Sequence, residues 1–307
     1  MTRVATYNQY VGSAAGMATG QANMAKAQQQ TSTQKVSNDL QGFGIEAGRL
    51  LSAKTYAERL DTRAEILKGL NARAEIESSA LEAAQAAVKK VREGLTQAFA
   101  LQSGVGLKAT LEQALSVIIT SANIKYNGES IFGGEQGFND PLVPASLDTL
   151  AAQPNTDAYW LDTGRNRTVM IEDNRAIELS ANAKELFRPF VDFIRSIRVW
   201  ENANAPLSGK LTTDQQTYVQ NLLPIIASVE KGLIDKSATA GITAKQLEVA
   251  ADTNDDRRDT LLATIGGQEN VNLAEVATRL AAAQTQYRAS AEVFAQVKDL
   301  NLLLYLR

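Results

Sequence analysis

Four aspartates, Asp252, Asp255, Asp256 and Asp259, crowd a short stretch and could gather oxygen ligands around a divalent cation. A calcium loop needs oxygens at set intervals and a glycine at its bend. Here Arg257 and Arg258 stand among the acids, the pattern of a solvated helix face. Gly133-Gly134-Glu135-Gln136-Gly137 has the glycines of a phosphate cradle without the following lysine or the strand-to-helix setting, so it reads as a turn. Tyr159, Trp160 and Trp200, near Arg165, Arg167 and Arg198, could make a carbohydrate or protein contact, although aromatics among apolar neighbours read more readily as core. The 307 residues include no histidine and no cysteine, which removes thiolate metal sites, disulfides and His-dependent nucleophiles. A Ser/Lys or two-carboxylate enzyme remains formally open, but no set of acid, base and nucleophile can be assembled. The expectation is a protein that is not an enzyme and carries no cofactor and no metal.

With the chemistry thin, the helical patterning carries the information. Residues 272–306 hold apolar or small side chains at Leu273, Val276, Leu280, Ala283, Tyr287, Ser290, Phe294, Val297, Leu300 and Leu304, in steps of three and four, a seam for another helix. The stretch ends in Leu302-Leu303-Leu304-Tyr305-Leu306, an apolar plug that water penalises unless a partner covers it. All six prolines lie between Pro141 and Pro224, so both flanks are free for long helices. Residues 50–101 combine helix propensity with helical period, and some fifty residues would make a rod of roughly 75 Å. A second helix is expected over 108–125, ending at Asn127-Gly128.

Between 129 and 206 glycine and proline punctuate a loop-rich region. Within it, Arg167-Thr168-Val169-Met170-Ile171 and Ala176-Ile177-Glu178-Leu179-Ser180 predict a β-hairpin, followed by an apolar helix over 183–200. Thr213 and Gln216 suggest a capping box opening the next helix, with breaks expected at Ala240-Gly241 and at Gly266-Gly267 before the terminal seam. The expected organisation is 1–45 as an N-terminal assembly helix, 46–128 and 207–267 as two halves of a helical rod, 129–206 as a small inserted α+β domain, and 268–307 as a C-terminal assembly helix.

The first 35 residues are patterned more weakly. Val4, Tyr7, Val11, Ala14, Ala18 and Ala25 keep the three-four spacing, while Gly12, Gly16 and Gly20 stand four apart on one face of a helix. Small residues at this interval let two helix backbones approach closely. Each glycine costs about 1 kcal/mol against alanine in a helix interior, so such a segment should be disordered alone and ordered once packed.

Charge is nearly balanced at -3, which gives no footprint for nucleic acid or anionic lipid. No run of about eighteen apolar residues is present, so no membrane partner is expected. The opening Met1-Thr2-Arg3-Val4-Ala5-Thr6-Tyr7 lacks the features of a cleaved secretory signal, which fits either a cytoplasmic protein or export by a route that reads no cleavable signal.

Tyr126-Asn127-Gly128-Glu129-Ser130-Ile131-Phe132-Gly133-Gly134 with Pro141-Leu142, Ser32-Thr33-Gln34-Lys35-Val36 near the start, and Asn272-Leu273-Ala274-Glu275-Val276-Ala277-Thr278-Arg279-Leu280 with the Leu302 to Leu306 ending together resemble the flagellar hook-filament junction proteins (hook-associated protein 3), relatives of flagellin. The resemblance covers both flanks. It departs after the early turn, where Ser37-Asn38-Asp39-Leu40 replaces the family's Asp-Asp-Pro, and the final Arg307 is more like some flagellins.

The resemblance implies a mainly α fold: an elongated flagellin-like helical rod with paired N- and C-terminal coiled-coil helices and a small inserted α+β domain. It implies a structural protein of the bacterial flagellum, secreted without a cleaved signal, that joins hook to filament and serves motility. Its implied partners are further copies of itself, a neighbouring hook-associated protein, flagellin, and an export chaperone on the C-terminal helix. The expected assembly interface comprises Val4, Tyr7, Val11, Gly12, Gly16, Gly20, Leu273, Val276, Leu280, Tyr287, Phe294, Val297, Leu300, Leu304 and Leu306. A minor flagellin, or a surface binding protein using residues 129–206, are the alternatives.

Overall fold

The computed structural model describes the backbone of residues 2–305 except 136, 138, 162, 163, 173, 174 and 180, and their side chains except those of 2–7, 9 and 297–305. Its elements are α1 (Thr2–Thr33), a 3₁₀ turn (Leu40–Glu46), α2 (Ala47–Leu101), α3 (Leu107–Ala122), β1 (Lys125–Tyr126), β2 (Glu129–Ser130), α4 (Leu147–Ala152), β3 (Thr168–Glu172), β4 (Arg175–Glu178), α5 (Ala183–Ala203), α6 (Thr213–Glu269) and α7 (Leu273–Tyr305). The fold is mainly α, with two small antiparallel hairpins. The chain divides into two compact units, residues 62–254 and residues 1–61 with 255–307.

The unit of 62–254 is built on a conventional apolar core. Leu81, Val88, Val91 and Leu95 recur at helical spacing on α2 and pack with Leu111 and Ile118 of α3, Phe187, Phe190 and Ile194 of α5, and Leu222 and Ile226 of α6. Phe132, Leu142, Leu147, Leu150 and Trp160, from the loop-rich stretch, join this same core. The Phe132 and Phe187 rings meet edge to face with centroids 5.5 Å apart. A second, smaller cluster places Ile171 and Ile177 of the β3–β4 hairpin against Leu67, Leu247 and Ala250.

Buried polar groups fix the loops. The Arg73 guanidinium of α2 donates to the Ile131 carbonyl, while Arg167 pairs with Glu129. Burial, then the neighbouring Arg167, pushes the Arg73 guanidinium down from its ordinary value. At its C-terminal end α2 stops at Gln102, which takes a positive φ of 51°. There Gly104 N–H donates to the Gly209 carbonyl at 2.8 Å and Leu211 N–H to the Gln102 carbonyl at 2.8 Å.

Three local expectations are corrected. The helix expected over 108–125 ends at Ala122, and Asn127-Gly128 turns a two-stranded hairpin with φ of 50° and 84°. Positive φ at both central residues is what an Asn-Gly hairpin turn supplies. The capping box opening α6 lies one residue earlier than expected: Gln215 N–H donates to Thr212 Oγ1 at 3.3 Å and Thr212 N–H to Gln215 Oε1 at 2.9 Å. The breaks expected at Ala240-Gly241 and Gly266-Gly267 do not occur, since α6 runs unbroken through both. Leu247, Ala250 and Ile265 are buried around those glycines, and tertiary burial outweighs about 1 kcal/mol per glycine.

In the unit of 1–61 with 255–307, α1 packs along α7, and α2 and α6 share a small cluster of Leu50, Ala57 and Ile265 backed by Phe43, Ala53 and Leu261. The early loop is a 3₁₀ turn whose first residues are capped by Asp39, its Oδ1 accepting from Gly42 N–H at 3.0 Å. The connection from α1 is stitched to the α6–α7 turn. Val271 N–H donates to the Gln34 carbonyl at 3.0 Å, and Val36 N–H to the Glu269 carbonyl at 2.7 Å. The Glu269 carboxylate pairs with Lys54 of α2 and, at 3.5 Å, with Lys35.

Two outcomes follow from this packing. A Cβ at Gly104 would lie 2.3 Å from the Leu207 carbonyl oxygen, so Gly104→Ala should lower stability by about 1–3 kcal/mol, read from chemical denaturation followed by tryptophan fluorescence. The Lys54 hydrogen bond, assisted by the charge of Lys35, holds the Glu269 carboxyl below its ordinary value. A depressed folded pKa contributes stability above the unfolded value of about 4.3 and loses it as pH falls through the folded one. Carbon-13 NMR titration should give Glu269 a midpoint below that of a free glutamate, and Lys54→Met should raise it.

Candidate assembly surface

The candidate surface is carried by α1 and α7. Helix α1 forms despite Gly12, Gly16 and Gly20 because α7 lies against it. The two run antiparallel: Tyr10 meets Phe294 with ring centroids 4.8 Å apart and planes tilted by 36°. Further along, Gly16 faces Ser290 and Gly20 faces Tyr287. Beyond them Ala27 and Ala283 are buried within a common groove of about 350 Å³ that Asn23, Lys26, Gln30, Arg279, Ala282 and Gln286 also line.

The glycines set the approach. A Cβ on Gly20 would stand 3.2 Å from the Tyr287 N, Cα and Cβ atoms, so only a residue without one lets the backbones come this close. At Gly16 a Cβ would meet the Ser290 hydroxyl at 2.8 Å, whereas at Gly12 it would meet nothing within 4 Å. Gly16 and Gly20 therefore stand at the close approach to α7, and Gly12 does not.

The expected interface residues fall into distinct groups. Val276 is fully buried, and Leu280, Tyr287 and Phe294 are half-buried, so this part of the seam turns toward the chain's own α1. Val11 and Leu273 are exposed, as are Ala18 and Ala25, so the face of α1 that meets α7 is the glycine face rather than the Val11 face. The side chains of Val4, Tyr7, Val297, Leu300 and Leu304 lie outside the described ones, and Leu306 lies outside the described residues. Tyr10, Ala27, Gln30 and Val293 were missed. Gln30 is buried and its Nε2 donates to the Val36 carbonyl at 2.9 Å, whereas Val293 points outward. Periodicity could have found Ala27 as the continuation of the glycine ladder, but no pattern marks a buried glutamine.

The side chains of the other candidate sites meet partners within the chain. Arg258 reaches Asp259 at 3.2 Å and Asp255 and Asp61 at 3.7 Å, so those acids are paired with their own arginine. Among the described residues no group of three or more acidic side chains could hold a metal ion. Trp160 is buried in the core, and Trp200 stacks on Tyr218 at 4.0 Å with planes 5° apart. Arg165, Arg167 and Arg198 each meet a carboxylate, of Glu135, Glu129 and Asp148. The hydrogen bonds that Arg198 donates to Asp148 and Glu201 raise its pKa further, so its charge is spent locally. No helix among the described residues is long and apolar enough to cross a membrane.

The unequal glycines give a direct test. Gly12→Ala should gain helix stability of about 1 kcal/mol and slow amide exchange in α1. Gly20→Ala should speed it, because the added methyl forces α1 away from Tyr287. Equal slowing in both variants would mean the close approach is absent in solution.

No family model matches the chain, and no curated protein does. Solved structures do. A protein of Vibrio parahaemolyticus described as flagellar hook-associated aligns with 76% of this chain and 99% of its own at 12% identity and a TM-score of 0.58. Flagellar hook associated protein-3 of Legionella pneumophila aligns with 70% of this chain and 97% of its own at 13% identity and a TM-score of 0.56. FlgL of Bacillus cereus aligns with 70% and 98% at 15% identity and a TM-score of 0.52. The chain shares its fold with these flagellar hook-associated proteins.

Proposed function

We propose that this chain is a structural protein of the bacterial flagellum that joins hook to filament, with residues 1–45 and 268–307 as its assembly segments. The observation that carries the reading is the pairing of the first helix with the last, closed at Gly16 and Gly20 and leaving Val11, Leu273 and Val293 outward. Nearly the whole length of three flagellar proteins aligning with the same fold supports it. The role is mechanical rather than enzymatic. Subunits repeated by one helical operator bury outward apolar side chains between copies, which offsets the entropy of ordering the terminal helices.

On this reading the partners are further copies of the chain, a neighbouring hook-associated protein and flagellin, with an export chaperone on the C-terminal helix during transit. The protein works outside the cell after export without a cleaved signal.

Electron microscopy of cells lacking the protein tests the junction role. The expected outcome is hooks without filaments and filament protein in the medium; normal filaments would refute it. Seeded growth of the purified protein into long filaments would instead favour a minor flagellin. Leu304→Asp should abolish assembly while residues 50–265 stay folded, measured by sedimentation and circular dichroism.

A further inference from the structure

Glu269 occupies a position that electrostatics alone disfavours. It is the last residue of α6, where the final carbonyls of a 57-residue helix present negative partial charge. Its side chain is only 13% exposed. Two cations from different elements converge on it: Lys54 from α2, and Lys35 from the connection between α1 and α2. The same residue's carbonyl accepts from Val36 N–H, one bond from the Val271–Gln34 contact that joins the end of α1 to the start of α7. One residue therefore ties α2 to the α1 exit, beside the Val271–Gln34 bond that holds the α7 entrance.

The apolar support nearby is slight. The cluster between α2 and α6 in this unit holds Leu50, Ala57 and Ile265, and among the described residues of α1 and α7 the buried apolar side chains are Ala27, Val276 and Ala283. A helix pair so thinly buried sits at the low end of local stability. Its two members are far apart in sequence, so their meeting depends on whatever holds their near ends together.

We propose that Glu269 with Lys35 and Lys54 forms an ionic latch that couples the order of the α1–α7 pair to the α2–α6 pair. With the latch closed, the end of α1 and the start of α7 are held side by side, so each helix sees the other at high effective concentration. With it open, the two helices loosen together from the latched end, while the core around Phe187 is untouched. The latch belongs to the isolated chain and is independent of the flagellar reading.

Hydrogen exchange on the full-length chain tests it. Glu269→Gln keeps the backbone bonds and removes the charge. It should speed exchange in α1 and α7 by about tenfold or more and leave α5 unchanged. Lys54→Met should act alike, and Glu269→Gln with Lys54→Met should do little more than Glu269→Gln alone, because both remove one interaction. The charge swap Glu269→Lys with Lys54→Glu should restore protection, helped by a lysine at the helix C-terminus. Unchanged exchange in α1 and α7 after Glu269→Gln would overturn the latch, as would equal acceleration in α5 or failure of the swap to rescue.

Discussion

Two helices from opposite ends of the sequence have to lie side by side, and the rest of the chain is arranged around that requirement. Helix α1 ends at Thr33 and α7 starts at Leu273. Closing a flexible loop of some 240 residues would cost about 5 kcal/mol in chain entropy, more than the few buried contacts of α1 and α7 could readily supply. The folded segments between them remove most of that cost. Where α2 and α6 meet at Leu50, Ala57 and Ile265, the exit of α1 and the entrance of α7 are brought within hydrogen-bonding distance of each other.

The two units solve the packing problem in different ways. Residues 62–254 use bulk: phenylalanine, leucine and isoleucine from helices and loops interlock in one core, and arginines such as Arg73 hold loop carbonyls that the core leaves behind. The unit holding the termini uses closeness instead. Gly20 brings α1 against the α7 backbone, Gly16 makes room for the Ser290 side chain, and buried alanines replace leucines. Dispersion at short range compensates in part for the missing apolar area. Small residues also make the contact sensitive to a single methyl group, which a leucine-rich seam would absorb by repacking.

Much of this was legible in the residues. Alanine-, glutamate- and leucine-rich composition without proline marked α2, alternation marked β3 and β4, and the three-four spacing of Val276, Leu280, Tyr287 and Phe294 marked the face of α7 that is covered. Errors arose where two local signals competed. Thr212 with Gln215 and Thr213 with Gln216 both fit a capping box, and only the chain's path from Leu211 decides between them. The apolar period ran up to Lys125 and hid the Asn127-Gly128 hairpin, although that dipeptide is a strong turn signal. Gly241 and Gly266 looked like breaks because burial on either side of them is a tertiary fact. The contacts of Glu269 were invisible for a related reason: Lys35, Lys54 and Glu269 are scattered charges, and no periodicity announces an ion pair between distant elements.

The seam on α7 was expected to pair with the N-terminal helix as well as to face other subunits, and its inner side is taken by α1. That narrows the assembly reading rather than removing it. That pairing leaves Val11 on α1 and Leu273 and Val293 on α7 on the outside. Ile45, in the capped 3₁₀ turn, is 95% exposed although the turn around it is well hydrogen-bonded, so its exposure is built into the local structure. Water gains nothing from these side chains, and a pair with so little interior has little stability of its own to spend on displaying them. A partner that covered them would add apolar burial where the chain has least. The ordering of the terminal helices and the binding of that partner would then reinforce each other, since each reduces the entropy left for the other to remove.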